Sequence, residues 1–198
     1  MTKFPFLASF DYTPLEKEHH GRFKAATLVG EKYSKQKPTP ISDLLDILKD
    51  PAKSQNQRFV VKGYILSFNN YKVTQVVKKV VKGKVLGFEE STQGEQPSYI
   101  FHFIATLKDS SVENDPSKSL NIYILTNEED QHLFDLWEIL PPQSDTKRWK
   151  SVKQESFNDF EEKLHGLTTQ DLEVKMVVEL LITQSGKAFF KLYDTIFI

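Results

Sequence analysis

Hydrophobic and polar residues alternate most strictly near the end of the chain. Leu172, Val174, Met176, Val178, Leu180 and Ile182 interleave with Glu173, Lys175, Glu179 and Thr183. A Gln184-Ser185-Gly186-Lys187 turn then leads into the aromatic run Ala188 to Ile198. A period of two, a glycine turn and a second aromatic run predict a β-hairpin. The same period predicts three earlier strands. Phe59 to Phe68 puts Phe59, Val61, Gly63 and Ile65 on one face. Gly63 marks a bend, as a small barrel needs where one long strand serves both halves of the sheet. Tyr99, Phe101, Phe103, Ala105 and Leu107 alternate with Ile100, His102, Ile104, Thr106 and Lys108. Leu120 to Leu125 follows the polar turn at 109–119.

Helical spacing recurs in three places. Ile41, Leu44, Leu45 and Leu48 fall at i, i+3, i+4 and i+7, with Thr39 as N-cap, Pro40 at the first helical position and Asp43 near the N-terminal dipole. Pro51 ends this helix. Asn127 caps a second helix, with Asp130 three residues later and a stripe of Leu133, Leu136, Trp137 and Leu140 before Pro141-Pro142. A third runs from a Ser156 cap through Phe157, Phe160 and Leu164 to a Gly166 stop. Between the first two strands, Val73, Val76, Val77, Val80 and Val81 also sit at helical spacing. β-Branching disfavours a helix there, so a twisted β-extension or hairpin is expected, with a helix as the alternative. Residues 89–98 read as a loop.

Residues 1–38 lack a period and read as an N-terminal arm, with Phe4, Phe6, Phe10, Tyr12 and Phe23 scattered among prolines and charges and Thr27-Leu28-Val29 as a short strand. Residues 39–198 form the domain. Its class is mainly β with α. The order of helix, three strands, helical connection and two strands is that of a five-stranded oligonucleotide/oligosaccharide-binding (OB) barrel. The barrel has an N-terminal helix, a helical segment between strands three and four, and a long insertion between strands one and two.

Composition narrows the chemistry. At 198 residues the chain buries a core without a disulfide or metal staple. The absence of cysteine excludes disulfides, thiolate zinc sites and cysteine nucleophiles. No apolar run approaches the roughly 20 residues that cross a bilayer. The segment Met1 to Phe10 lacks the basic start and cleavage site of a secretory signal. A net charge of −1 argues against a dedicated nucleic-acid binder, whose affinity comes mostly from phosphate neutralisation. Charge is nevertheless segregated: Asn69 to Phe88 carries five lysines and no acid, and Asn127 to Glu138 carries five acids and no lysine or arginine. Solvated faces are the default reading of such runs. There is no phosphate-cradling glycine loop, nucleophile elbow or zinc-binding helix motif. His19 and His20 are adjacent but lie in the arm, and His102 reads as a structural strand residue. Nothing positions Glu89-Glu90 or Glu161-Glu162 as an acid/base couple. The expectation is therefore a protein without enzymatic activity, cofactor, metal, small-molecule substrate or membrane association.

Five stretches together carry a resemblance. They are Ile41-Ser42-Asp43-Leu44-Leu45, Phe59 to Ile65, Tyr99 to Ser111, Leu120 to Thr126, and Phe189 to Ile198. In order and spacing the chain, from about Thr27 onward, resembles the C-terminal OB domain of the protection-of-telomeres family. The resemblance is to the ciliate type, the telomere end-binding protein alpha subunit. In that family, paired OB domains nearer the N-terminus grip single-stranded telomeric DNA, and the C-terminal barrel docks the partner beta subunit. The resemblance thus implies a nuclear, telomeric protein whose partner is a beta-type telomere-binding subunit, with telomeric single-stranded DNA reached indirectly through other domains. Two departures stand out. Animal members insert a cysteine-containing nuclease-like domain into this barrel, for which segment 127–171 has no room, and the DNA-binding pair is absent from this sequence.

Candidate partner-binding residues are Phe68, Tyr71, Tyr123, Phe134 and Trp137, aromatics flanking strands or a helix where a groove can open. Core or edge packing is the competing reading for each. The alternative function is single-stranded nucleic-acid binding, by stacking on strand aromatics and contacts from Lys72, Lys78, Lys79, Lys82 and Lys84.

Overall fold

The structure, a computed structural model, describes residues 27–92, 94–125, 149, 151–169 and 172–197. Nine strands are defined among them: β1 (Thr27–Val29), β2 (Arg58–Phe68), β3 (Val77–Val81), β4 (Lys84–Gly87), β5 (Ser98–Lys108), β6 (Leu120–Leu125), β7 (Glu173–Ile182), β8 (Ala188–Tyr193) and β9 (Thr195–Phe197). The helices are α1 (Glu31–Ser34), α2 (Ile41–Ile47), α3 (Val73–Val76) and α4 (Gln154–Thr169). The expected second helix, with its Asn127 cap, lies outside the described residues.

Strands β2, β7, β8, β6 and β5 hydrogen-bond in that order, and β2 pairs again with β5 to close the ring. All of these pairs are antiparallel except β6 with β8, which run parallel. This is the five-stranded OB barrel. β2 serves both halves, as its length predicted: Arg58 to Tyr64 pair with β7, and Tyr64 to Phe68 pair with β5. The register shift lies between Ile65 and Ser67, just past Gly63. Gly63 has a different job. A Cβ there would collide with the Lys108 carbonyl, so glycine lets β2 and the end of β5 approach closely.

The core is filled by the inward rows of these strands. Phe101, Phe103, Leu107, Ile122, Ile124, Val174, Met176, Val178, Leu180, Phe190 and Leu192 are fully or almost fully buried. From the helices come Ile41, Leu44, Phe160 and Leu164, and Phe160 stacks on Phe101 with centroids 5.8 Å apart. α4 does not stop at Gly166 but continues to Thr169. The extra turn buries Leu167, and that burial outweighs the roughly 1 kcal/mol that a glycine costs in a helix interior.

The first helix begins differently from its sequence signals. Pro40, with φ −56° and ψ 145°, is the N-cap, and helical geometry starts at Ile41 rather than at the proline. The capping is supplied from a distance. Asp109 accepts the Ile41 N–H (2.9 Å) and Ser111 Oγ accepts the Ser42 N–H (3.0 Å). Two free N–H groups of the first turn are thereby satisfied by the turn after β5.

The final aromatic run is also not a single strand. Asp194, at φ 40°, breaks it, and β9 leaves the barrel to pair with β1 as a separate two-stranded ribbon. Two threonines repair the ladder where β8 departs. Thr195 Oγ1 accepts the Val177 N–H (2.9 Å) and donates to the Tyr193 carbonyl (2.8 Å). Thr27 Oγ1 accepts the Lys175 N–H (3.0 Å) and donates to the Lys175 carbonyl (2.7 Å). The short strand expected at Thr27-Leu28-Val29 thus packs, within that ribbon, against the outside of β7, where Val29, Tyr33, Val60 and Val177 form a second small core.

Candidate functional site: the outer face of the barrel

Inward rows fix which side chains point outward. On β2 the outward residues include Tyr64 and Leu66, opposite a row of Val61, Gly63 and Ile65 that is buried. With Val85, these are the exposed large apolar side chains among the described residues: Tyr64 43%, Leu66 50% and Val85 54%. Tyr64 sits at the crossing point of β2, paired with Lys108 on one side and Glu173 on the other. Beside it lies a cleft of about 250 Å³ between Pro38–Pro40, Gly63 and the turn at Asp109–Ser111. Lys62 and Glu173 form an ion pair on its rim.

The outward row continues across the sheet. Thr106 faces Asn121, and the Thr106 hydroxyl hydrogen-bonds Asn121 Oδ1 at 3.0 Å. Next along, Ile104 faces Tyr123, and Tyr123 lies level with Lys191 on the parallel strand β8. Tyr123 meets Phe189 edge-on, with centroids 5.0 Å apart. Ile104, Tyr123, Leu125 and Phe189 are all half-buried. Asn69 pins this part of the sheet just past the end of β2. Its N–H donates to the Ile104 carbonyl (3.0 Å), and its side-chain oxygen accepts the Ile104 N–H (2.6 Å). The face is thus an apolar band with a polar centre, bounded by Lys108, whose ammonium donates to the Asp115 carbonyl (3.0 Å).

Of the five aromatic candidates, Tyr123 lies on this face. Phe68 is 3% exposed and sits inside the barrel end, against Phe103 and edge-on to Tyr71. The Tyr71 hydroxyl accepts the Phe68 N–H (3.3 Å), and its ring stacks on His165 at 4.2 Å. Phe68 is thus a packing residue, while half-buried Tyr71 joins the barrel end to α4 through His165. Phe134 and Trp137 lie outside the described residues. Tyr64, Leu66, Ile104 and Phe189 were not singled out from the sequence. A signal for the first two existed, because apolar residues occupy the outward positions of an alternating strand.

The lysine candidates are spread over two elements. Lys72 caps the single turn α3, and the rest belong to the β3–β4 hairpin, which settles the two readings of this stretch as one helical turn followed by a hairpin. Lys82 and Gly83 both have positive φ (47° and 79°), the geometry of a tight two-residue hairpin loop. Lys82 pairs with Glu95 at 2.5 Å, and the Lys79 ammonium donates to the Glu90 carbonyl (3.0 Å). Lys78 is half-buried, and Lys84 is exposed near the tip. Among the described residues no group of histidine, aspartate and glutamate could hold a metal ion.

A ring closed by β2 against both β7 and β5, with parallel β6 and β8 and a helix beneath, defines an OB-fold protein. No protein-family model matches the chain, and no curated protein matches it. Among solved structures, the fold is similar to a chain in the crystal structure of fission yeast Pot1 and Tpz1. The TM-score is 0.52 at 14% identity, covering 89% of this chain and 99% of that one. At that identity the likeness is one of fold.

Proposed function

We propose that this chain is a protein-interaction OB domain of a telomere end-protection complex, docking a beta-type partner subunit rather than binding DNA, in the nucleus and without catalytic activity. The observation that carries this reading is the outer face of the barrel, where exposed Tyr64 and Leu66 lie on one side of the Thr106–Asn121 pair and half-buried Ile104, Tyr123 and Phe189 on the other. Apolar and aromatic anchors of this kind supply most of the energy of a protein interface. Two further observations support it. The sequence resembles the protection-of-telomeres family, and the fold is similar to a chain from a structure of two proteins, Pot1 and Tpz1. A net charge of −1 fits a protein partner better than a polyanion.

The test is retention of the chain on an immobilised beta-type telomere subunit. Wild type is retained, and Leu66→Glu and Tyr123→Ala weaken retention while circular dichroism shows an intact fold. Equal retention of both variants removes the band as the docking face. A second reading, binding of single-stranded telomeric DNA, draws on the exposed Lys72 and Lys84 and predicts salt-sensitive binding of a G-rich strand.

A further inference from the structure

The lysine run and the acidic residues that follow it form one electrostatic unit. Five lysines without an acid occupy 69–88, and Glu89, Glu90 and Glu95 come directly after. Among the described residues β4 is the last strand of the sheet, with no strand neighbour on one side. At its end the Gly87 N–H donates to Glu90 Oε1 (2.6 Å), and the Glu90 N–H donates back to the Gly87 carbonyl (3.2 Å). The Lys79 ammonium donates to the Glu90 carbonyl and lies 5.7 Å from the centre of the Phe88 ring. Across the hairpin, Glu95 holds Lys82. Carboxylates thus occupy a strand-edge N–H and a lysine ammonium, both groups that hold phosphate in nucleic-acid complexes.

We propose that Glu90 and Glu95 are specificity-determining residues that occupy the hairpin's anion-binding groups and thereby exclude single-stranded nucleic acid. This rests on the reading above that the domain docks a protein. Stability does not account for the Lys82–Glu95 pair, because the two side chains are 81% and 38% exposed and exposed pairs contribute little. Charge does. Each lysine released to a single-strand phosphate steepens the salt dependence of log K by about 0.7 and raises affinity roughly tenfold at low salt. Lys82 is the lysine a carboxylate holds, and its release alone is enough to make weak binding measurable.

The experiment is fluorescence anisotropy of a labelled oligothymidine strand with the full chain, across a salt series. Glu90→Ala and Glu95→Ala together remove the side-chain acceptors and the charge, freeing the Gly87 N–H and the Lys82 ammonium. The double variant gains at least tenfold in affinity over wild type, with a steeper salt slope, and adding Lys82→Gln reverses part of the gain. Glu113→Gln, an exposed residue in the turn after β5, controls for net charge. No gain in the double variant, or an equal gain per charge removed in Glu113→Gln, overturns the proposal. Tight strand binding by wild type would instead overturn the protein-docking reading, so the two failures are distinct.

Discussion

The barrel and the β3–β4 hairpin are written in the same alternating vocabulary, yet they are held together by different forces. In β5 every second residue from Tyr99 to Leu107 is buried, and the opposite row meets other strands or solvent. In the hairpin, Val77 is buried at the base, while Val80 and Val81 are half-buried and Val85 is exposed. The barrel's register is set by its core, since a slip of one residue would turn every apolar side chain outward. In the hairpin, β3 hydrogen-bonds to β5 from Val77 to Val80, so that ladder and the tight two-residue turn set its shape. Packing therefore fixes the barrel, and backbone pairing to β5 holds the hairpin.

The contrast breaks most visibly in the barrel. Phe190→Ala empties a fully buried site next to Phe59 and costs about 3–5 kcal/mol in urea unfolding. Gly63→Ala drives a Cβ onto the Lys108 carbonyl and costs about 2–3 kcal/mol, with loss of β2–β5 pairing in amide exchange. Thr195→Val leaves the buried Val177 N–H without its acceptor, for about 1–3 kcal/mol. In the hairpin, Val85→Thr changes stability by no more than about 0.5 kcal/mol. A large loss there would show that the hairpin is part of the core after all.

The smallest effect is a pH dependence. Burial pushes the Tyr99 hydroxyl above the ordinary tyrosine range, where its ring stacks on Trp149 at 4.6 Å. The folded state therefore favours neutral Tyr99. Its contribution is complete below the ordinary tyrosine range and is lost as pH rises toward the higher folded value. Tyr99→Phe flattens stability against pH on the alkaline side, measured by thermal unfolding, and leaves neutral pH nearly unchanged.

Much of the fold could be read from periodicity because the barrel strands have one buried and one open face. Phe59 to Phe68, Tyr99 to Lys108, Leu120 to Leu125 and the start of the closing hairpin all alternate for that reason. Features that depend on distant partners were not legible. The cap of α2 comes from Asp109 and Ser111, far along the chain, so the local Thr39-Pro40 signal pointed one residue early. The break at Asp194 follows from pairing of β9 with β1, which no local pattern shows. The same limit applied to the site. Phe68 looks like a surface aromatic at a strand end, and only the closed barrel reveals it as buried against Phe103.

Part of the family resemblance also acquires a physical meaning. Ile41-Ser42 and Asp109-Ser110-Ser111 lie in two of the quoted stretches, and the structure joins them directly in the cap of α2. Gly63 and Lys108, in two quoted stretches, meet at the closure of the barrel. These motifs are joints of the fold. Tyr64, Tyr123 and Phe189 of the proposed docking face lie in the quoted stretches too, while Leu66 lies just outside them.

The most direct test of protein docking over DNA binding is one calorimetric comparison at low salt. The full chain is titrated in parallel with a beta-type telomere subunit and with a G-rich single strand. Saturable heat with the subunit and none with the strand is the predicted result. Micromolar or tighter binding of the strand with a steep salt slope, and no heat with the subunit, would contradict it.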